Sequence, residues 1–507
     1  MLATAASATP WGIDARPVQV EVDLRLGLPQ MQMVGLPDAA VRESRERVRA
    51  AIKNCGFELP PRAVVINLAP ANVKKEGNHL DLAIALALLV AHGQIPQECL
   101  DGRVLCGELG LDGQIRPIRG GLAIADLGHQ LGCREVLLPA ANVAEAAALE
   151  AIPIIGVNGL AQTVEHLLGV APISSDSIPS EPKGIGKAAP DLSEVRGQES
   201  AKRALEIAAA GAHNLLFIGP PGAGKTMLAR RLPGLLPPLT RHEAIEVTKI
   251  QSLVAEQPPA GLIRQRPFRS PHPSTSTAGM VGGGTIPRPG EVSLAHAGVL
   301  FLDEFPEFRR DTLEALRQPL EEGNIAIVRV RHRFCFPARF ALLAAMNPCP
   351  CGHLGDPRHE CECLPTAVYR YRGRVSGPLL DRIDLHIEVP PLSLQEIKET
   401  PGESTASVAA RVSAARQRQR FRFGQLAYTP WNAAMSPEQI ESFCQLGRPG
   451  QTLLDQAFEK LGLSARAVHR ILKVARTIAD LACQEKIDAV HVAEAIQYRT
   501  LDRRITM

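Results

Sequence analysis

The chain is 507 residues long, more than one hydrophobic core usually organises (~250–300 residues), so more than one domain is expected. Its 45% hydrophobic and 21% charged residues are ordinary for soluble protein, and a net charge of +3 neither requires nor excludes a polyanionic partner, because local basic surface matters more than the total. The opening MLATAASATP lacks the pattern of a secretory signal, and the most apolar run, LDLAIALALLVA at 80–91, falls short of the ~17–25 residues of a bilayer span; a cytoplasmic protein without a disulfide framework is expected.

Over residues 1–170, strand-like runs such as VQVEVDL and AVVINLA alternate with helix-like ones such as AAVRESRERVRAAIKNCGF. That is α/β or α+β texture, with the 80–91 run as a buried helix. Residues 171–190 are dominated by Pro, Ser and Gly, hold no apolar period and read as a linker. A nucleotide-binding region is expected over 191–392. A helix-rich tail follows over 393–507, where SARAVHRILKVARTIADLACQ and DAVHVAEAIQYRTLDRR keep helical periodicity.

NLLFIGPPGAGKTMLARRL is an apolar strand, a glycine-rich turn and a helix start, the context expected of a phosphate-binding loop. Gly219, Gly222 and Gly224 would let backbone N–H groups crowd around the phosphates of ATP, in a loop completed by Pro220, Pro221 and Ala223. Lys225 would reach the β- and γ-phosphates, and the Thr226 hydroxyl would hold Mg²⁺. Downstream, GVLFLDEF carries two carboxylates to a strand end: Asp303 for the magnesium shell and Glu304 to polarise the attacking water. Between Thr226 and Asp303 lie 76 residues, where a complete βαβ unit needs only ~30, so something is inserted. The insert is rich in Gly, Pro, Ser and Arg, reads as exposed loops and contains Arg264, Arg266 and Arg269. A second excursion, EEGNIAIVRVRHRFCFPARFALL, reads as a hairpin carrying Arg329, Arg331 and Arg333.

FALLAAMNPCP ends another apolar strand on Asn347, suited to touching the γ-phosphate or the water. The next stretch crowds Cys349, Cys351, Cys361 and Cys363 into fifteen residues, with His353 and His359 between them. Four such thiols are read as a structural zinc site, Cys₄ ahead of any His-containing set. SGPLLDRIDLHIEVP sets Arg382 in a short, exposed-looking turn, where it could serve a neighbouring subunit's γ-phosphate or simply pair with Asp381 or Asp384. In RVSAARQRQRFRFG, at 411–424, a solvated helix whose Phe421 and Phe423 pack on the core is the favoured reading, ahead of DNA stacking.

From end to end the chain resembles the ComM/YifB family of magnesium-chelatase-like AAA+ ATPases, through GLPDAAVRESRERVRAAI, NLAPANVKKEGNHLDLAIAL, FRSPHPSTS, GEVSLAHAGVLFLDE and SGPLLDRIDLHIEV. The resemblance implies an α/β protein with a Lon-protease-like N-terminal domain, an AAA+ core of the helix-2-insert clade and a C-terminal helical lid. Residues 219–226 match Walker A, Asp303–Glu304 Walker B, Asn347 sensor 1 and Arg382 a trans-acting arginine finger. In the sensor 2 helix Arg466 is the first candidate and Arg470, one turn on, the second. The Lon-like domain is expected to be non-catalytic, because EGNHLD puts His79 where the family nucleophile would be and GGLAIA puts Ala123 at the lysine position.

The implied partners are branched or single-stranded DNA, bound without sequence specificity, other copies of the chain in a hexamer, and recombination proteins; no membrane partner is expected. The implied activity is ATP-driven branch migration during recombination in natural transformation. Arg264, Arg266, Arg269, Arg329, Arg331 and Arg333 are then the candidate DNA contacts, following a phosphate backbone in the pore. A chelatase-type, protein-remodelling ATPase shares every nucleotide residue and is the rival reading. The Lon-like domain and the Arg-rich inserts weigh toward DNA.

Overall fold

The computed structural model describes residues 2–499 apart from 60, 76, 176–189, 285–286, 330–331, 394–395, 397–401 and 425–429, and the side chains of Arg329 and His332 are likewise outside the description. Most of the 171–190 linker therefore lies outside the described residues. Two compact units are present: Met1–Gly184 with Glu243–Ile263 and Val328–Phe336, and Ile185–His242 with Arg264–Ile327 and Pro337–Met507. Two stretches of the 191–392 region thus fold with the first unit.

The first unit is built on a seven-stranded mixed sheet, in the order Met31–Val34, Ala63–Ala69, Asp14–Arg25, Leu2–Trp11, Arg103–Leu105, Glu135–Pro139, Ile154–Val157. Alternation in the second strand of the chain buries Val18, Val20, Val22 and Leu24 on one face. Against this core packs Asp81–Ala91, the expected buried helix, every residue of which is buried. A carboxylate inside such a helix needs partners. Asp81 takes the Ser44 hydroxyl, Arg47 Nε at 3.0 Å and the Leu109 N–H at 3.3 Å. The Glu243–Ile263 stretch is fastened by Lys249, whose buried Nζ lies 3.0 Å from Asp14 and 2.7 Å from Asp126, and by Ser252 Oγ, which accepts from Gly120 N at 3.0 Å. Trp11 packs on Phe334, ring centroids 4.7 Å apart.

The second unit holds a five-stranded parallel sheet in the order Phe268–Arg269, Val299–Leu302, Ala341–Met346, Leu215–Ile218, Leu385–Glu388. Parallel strands buried on both faces read as continuous apolar runs, which is why VLFL, ALLAAM and LLFI lack alternation. Leu215, Phe217, Val299, Phe301, Leu343 and Leu385 share one core with the helices Glu199–Gly211, Thr405–Phe423 and Ala465–Leu481. Leu216, Ile218, Leu300, Leu302 and Leu342 form the opposite core with Met280, Val292, Phe305 and Phe308. No helix among the described residues is long and apolar enough to cross a membrane.

Candidate functional site

Parallel register brings three strand ends together. Ile218 pairs with Met346 and Leu302 with Ala344, so the residues that follow, Gly219, Asn347 and Asp303, emerge at one edge of the sheet. This edge, outside the carboxyl ends of the strands, is where open α/β sheets bind ligands. Gly219 is dictated by close approach: a Cβ there would lie 2.2 Å from the Val389 carbonyl oxygen. Gly224 precedes the Lys225–Ala229 helix at φ +89°, a left-handed conformation other residues rarely adopt.

Lys225 Nζ donates to the carbonyls of Gly219 (2.7 Å) and Pro220 (2.9 Å) and to Asn347 Oδ1 (3.1 Å), joining the glycine-rich loop to a strand end 122 residues away. Burial lowers its pKa, while the charge of Asp303 acts in the opposite sense. Thr226 Oγ1 donates to Asp303 Oδ2 at 2.7 Å, and Asp303 Oδ1 accepts from the Glu304 N–H at 3.0 Å. A hydroxyl and a carboxylate at this separation are hard oxygen donors that fit a magnesium shell. Glu304 is exposed and sits at φ +51°, ψ +44°. Left-handed backbone at a non-glycine residue costs of order 1–3 kcal/mol and clusters at functional sites.

Arg382 departs from expectation. It is only 5% exposed rather than displayed in an open turn, and its partner is neither Asp381 nor Asp384. Nη2 pairs with the Glu321 carboxylate, from the helix Arg317–Glu322, and Nη1 donates to the Pro378 carbonyl at 2.5 Å. Asp384 is taken by Arg470 and by the Asn214 N–H at 3.0 Å. Of the two sensor 2 candidates, Arg470 is thus committed to a buried ion pair, whereas Arg466 is exposed at the start of its helix.

The DNA candidates also divide. Arg266 donates to the carbonyls of Pro237 and Ala297, each at 2.6 Å, and Arg269 is bidentate on Glu291 at 2.7 and 2.8 Å. These two, expected in exposed loops, instead hold the insert to the sheet edge; a guanidinium spent this way cannot follow a phosphate backbone without breaking those bonds. Arg264 and Arg333 are exposed. Arg331 lies outside the described residues, as does the Arg329 side chain. On the 405–423 helix, Arg411 pairs with Glu206 and Glu403, Arg416 stacks 3.9 Å from Trp431 and Arg422 pairs with Asp480. Phe423 packs edge-on against Phe443, as expected, but Phe421 is 92% exposed.

The four cysteines converge, their ligand sulfurs all within 4.8 Å of one another. Cys349, Cys351 and Cys361 lie 3.3–3.6 Å apart, close to the ~3.8 Å edge of a tetrahedron built on ~2.3 Å Zn–S bonds. Backbone N–H groups of Leu354 and Cys351 point at Cys349 Sγ (3.3 Å) and Cys363 Sγ (3.4 Å), the environment of a thiolate. The His353 N–H pulls the Cys351 thiol down to about 6, while burial and then the neighbouring thiols push Cys361 up, and the Cys351 thiol and then burial push Cys363 up. A dication would relieve that mutual repulsion.

In the first unit His79 is buried, its Nε2 makes no hydrogen bond, and Ala123 is a buried core residue. Burial pulls the imidazole down to about 4 from 6.5, Asp38 opposing. The folded state therefore disfavours the proton that the unfolded chain takes up below pH 6.5, so stability present at neutral pH is lost as pH falls toward 4, at roughly 1.4 kcal/mol per unit. His79→Leu is expected to flatten that acid slope by about one proton, measured as denaturant stability between pH 7 and 4.5.

Sequence reasoning missed Gln198, which sits at φ +56° and donates from Nε2 to the Pro390 carbonyl at 2.6 Å and to Ala223 O at 3.5 Å, bracing the glycine-rich loop from behind. Its only local signal is the glycine before it.

Residues 191–397 match the family model described as magnesium chelatase, subunit ChlI, residues 20–142 that of subunit ChlI of Mg-chelatase, and residues 402–499 that of the ChlI C-terminal region. The uncharacterized protein YifB of Escherichia coli is 46% identical over 495 residues, covering 97% of this chain and 96% of that protein. The competence protein ComM of Haemophilus influenzae is 45% identical over 507 residues, covering 99% and 98%. The DNA replication licensing factor Mcm5 of Drosophila melanogaster is 23% identical over 307 residues, 58% of this chain and 38% of that protein.

Proposed function

The chain belongs to the ComM/YifB family of magnesium-chelatase-like AAA+ proteins, and from that premise we propose that it is an ATP-driven, ring-forming DNA motor that migrates branched recombination junctions, as in natural transformation. The observation that carries the ATPase half of the reading is the meeting of Lys225, Thr226, Asp303 and Asn347 at adjacent strand ends, linked by bonds of 2.7–3.1 Å. Hydrolysis of a phosphoanhydride is a matter of positioning and charge. Lys225 neutralises the β- and γ-phosphates, Thr226 and Asp303 would hold Mg²⁺, which would supply charge neutralisation there, and Glu304 orients the attacking water and polarises it. Asn347 touches the γ-phosphate or the attacking water, Arg466 contacts the nucleotide, and Arg382 serves the site of the neighbouring protomer in a hexamer.

DNA as the partner is supported by kinship to a competence protein and the partial likeness to a replication licensing factor. Exposed Arg264 and Arg333, with Arg329 and Arg331, are the contacts we retain, the inserts being those of the helix-2-insert clade. Residues 1–170 serve as a non-catalytic, Lon-like binding or assembly domain, 191–392 as the ATPase core, 393–507 as its lid, and the four cysteines hold a structural zinc ion.

The match to chelatase subunits along three stretches favours, as a second reading, a protein remodeller that does not act on DNA. ATPase rates measured with and without four-way DNA separate the two. The motor predicts binding that weakens with salt and a rate raised by DNA; a rate indifferent to DNA, with no binding, leaves the ATPase and removes the motor.

A further inference from the structure

Between the two cysteine pairs the chain brings a second ligand set together. His353, Asp356 and His359, three residues apart, each offer a ligand atom, and those atoms lie within 4.8 Å of one another. Asp356 Oδ2 is 3.1 Å from His359 Nδ1 and 3.6 Å from His353 Nδ1. The imidazole centroids are 4.8 Å apart and tilted by 39°. The carboxylate is fixed from its other side, where Oδ1 accepts from the Arg358 N–H at 2.9 Å. Although it belongs to a surface loop, the Asp356 side chain is only 4% exposed, and His353 Nδ1 is buried without a hydrogen bond.

We propose that His353, Asp356 and His359 form a second metal site, distinct from the four thiols, that takes a borderline divalent cation of the zinc class and leaves its fourth position open to water. Two imidazoles and one carboxylate are an established donor set for such an ion, with bonds of ~2.0–2.2 Å. Ligands at those distances in a tetrahedron stand roughly 3.3–3.5 Å apart, and the two measured separations bracket that value. Hydrogen bonding accounts for the set less well. One carboxylate oxygen would have to accept from both rings, and the 3.6 Å spacing leaves the buried His353 nitrogen unsatisfied. A cation between the three satisfies His353 Nδ1 and the Oδ2 side of the carboxylate, whose Oδ1 already faces Arg358 Nε at 3.7 Å.

The two sets differ in chemistry. Four soft thiolates favour zinc held closed, while the harder nitrogen–oxygen set with an open position exchanges its ion more readily. The site also adjoins the nucleotide machinery. Gly352, between Cys351 and His353, lies against the glycine-rich loop: a Cβ there would be 2.6 Å from Pro221 Cδ and 3.9 Å from Asn347 Cγ. Metal on His353 therefore stiffens the backing of both Pro221 and Asn347.

The test is cobalt titration of the full-length, chelator-stripped, reduced protein, followed by its optical spectrum. Wild type should bind two equivalents: one with sulfur-to-cobalt charge-transfer bands and one with ligand-field bands alone. His353→Ala and His359→Ala should each weaken the second equivalent by more than the ~10–100-fold that outer-shell changes cost, leaving the charge-transfer bands intact. Cys361→Ser should do the reverse. His359 is exposed, so its replacement does not endanger folding. A single equivalent in wild type overturns the proposal. So does loss of the charge-transfer bands in either histidine variant, because the histidines would then belong to the thiolate centre.

Discussion

Glu304→Gln is expected to lower ATP turnover by about 10²–10⁴-fold, the usual contribution of a positioned general base, while nucleotide still binds. The amide keeps the size of the side chain and leaves untouched the bonds that organise the rest of the site: Lys225 to the loop carbonyls and Asn347, and Thr226 to Asp303. The backbone supplies an independent check. Glu304 is held left-handed, where a glycine would sit without strain. If that conformation serves chemistry rather than folding, Glu304→Gly should be as inactive as the glutamine variant and melt no lower than wild type. Turnover and binding by fluorescent nucleotide, with thermal melts on both variants, decide this. Near-normal turnover in the glutamine variant would remove Glu304 from the chemistry.

Arg382→Ala is expected to cost about 10³-fold or more in turnover, the range of arginine fingers in phosphoryl transfer. The free side chain is tied to Glu321 and Pro378 within its own protomer, so serving a neighbour means exchanging the Glu321 carboxylate for phosphate. Glu321 is half exposed and can return to water when its partner leaves. Two controls separate a finger from a structural ion pair. Glu321→Ala, which removes the ion pair but leaves the bond to Pro378, should keep most of the activity. Mixing Arg382→Ala subunits with Glu304→Gln subunits should restore part of the turnover, because some interfaces then join an intact Glu304 to an intact Arg382. A lowered melting temperature with unchanged turnover would make Arg382 a purely structural group.

What was legible in the sequence was local. The strand, loop and helix around Gly219–Thr226, the apolar run ending in Asp303–Glu304 and the crowding of four cysteines are patterns within a few residues, and each folds as its neighbours dictate. Long-range partners were not legible. Arg382 looked exposed because its turn is short and polar, but the acceptor that buries it lies 61 residues earlier. Arg266 and Arg269 sit in a stretch whose Gly, Pro and Ser content reads as loop, yet their acceptors are main-chain carbonyls and a glutamate that only the folded insert presents. Gln198 is similar: its bond to Pro390 O spans 192 residues. Glu243–Ile263 falls in the first unit, where Lys249 meets two aspartates more than 120 residues upstream, which no periodicity announces.

The central claim, that hydrolysis at Glu304 moves DNA, is tested most directly on a synthetic four-way junction with mobile arms. Wild-type protein with ATP and Mg²⁺ should convert the junction to two duplexes at a rate that follows ATP turnover, and Glu304→Gln should bind the junction without converting it. Conversion at the same rate by Glu304→Gln, or a junction left intact by wild-type protein that is hydrolysing ATP, would contradict it.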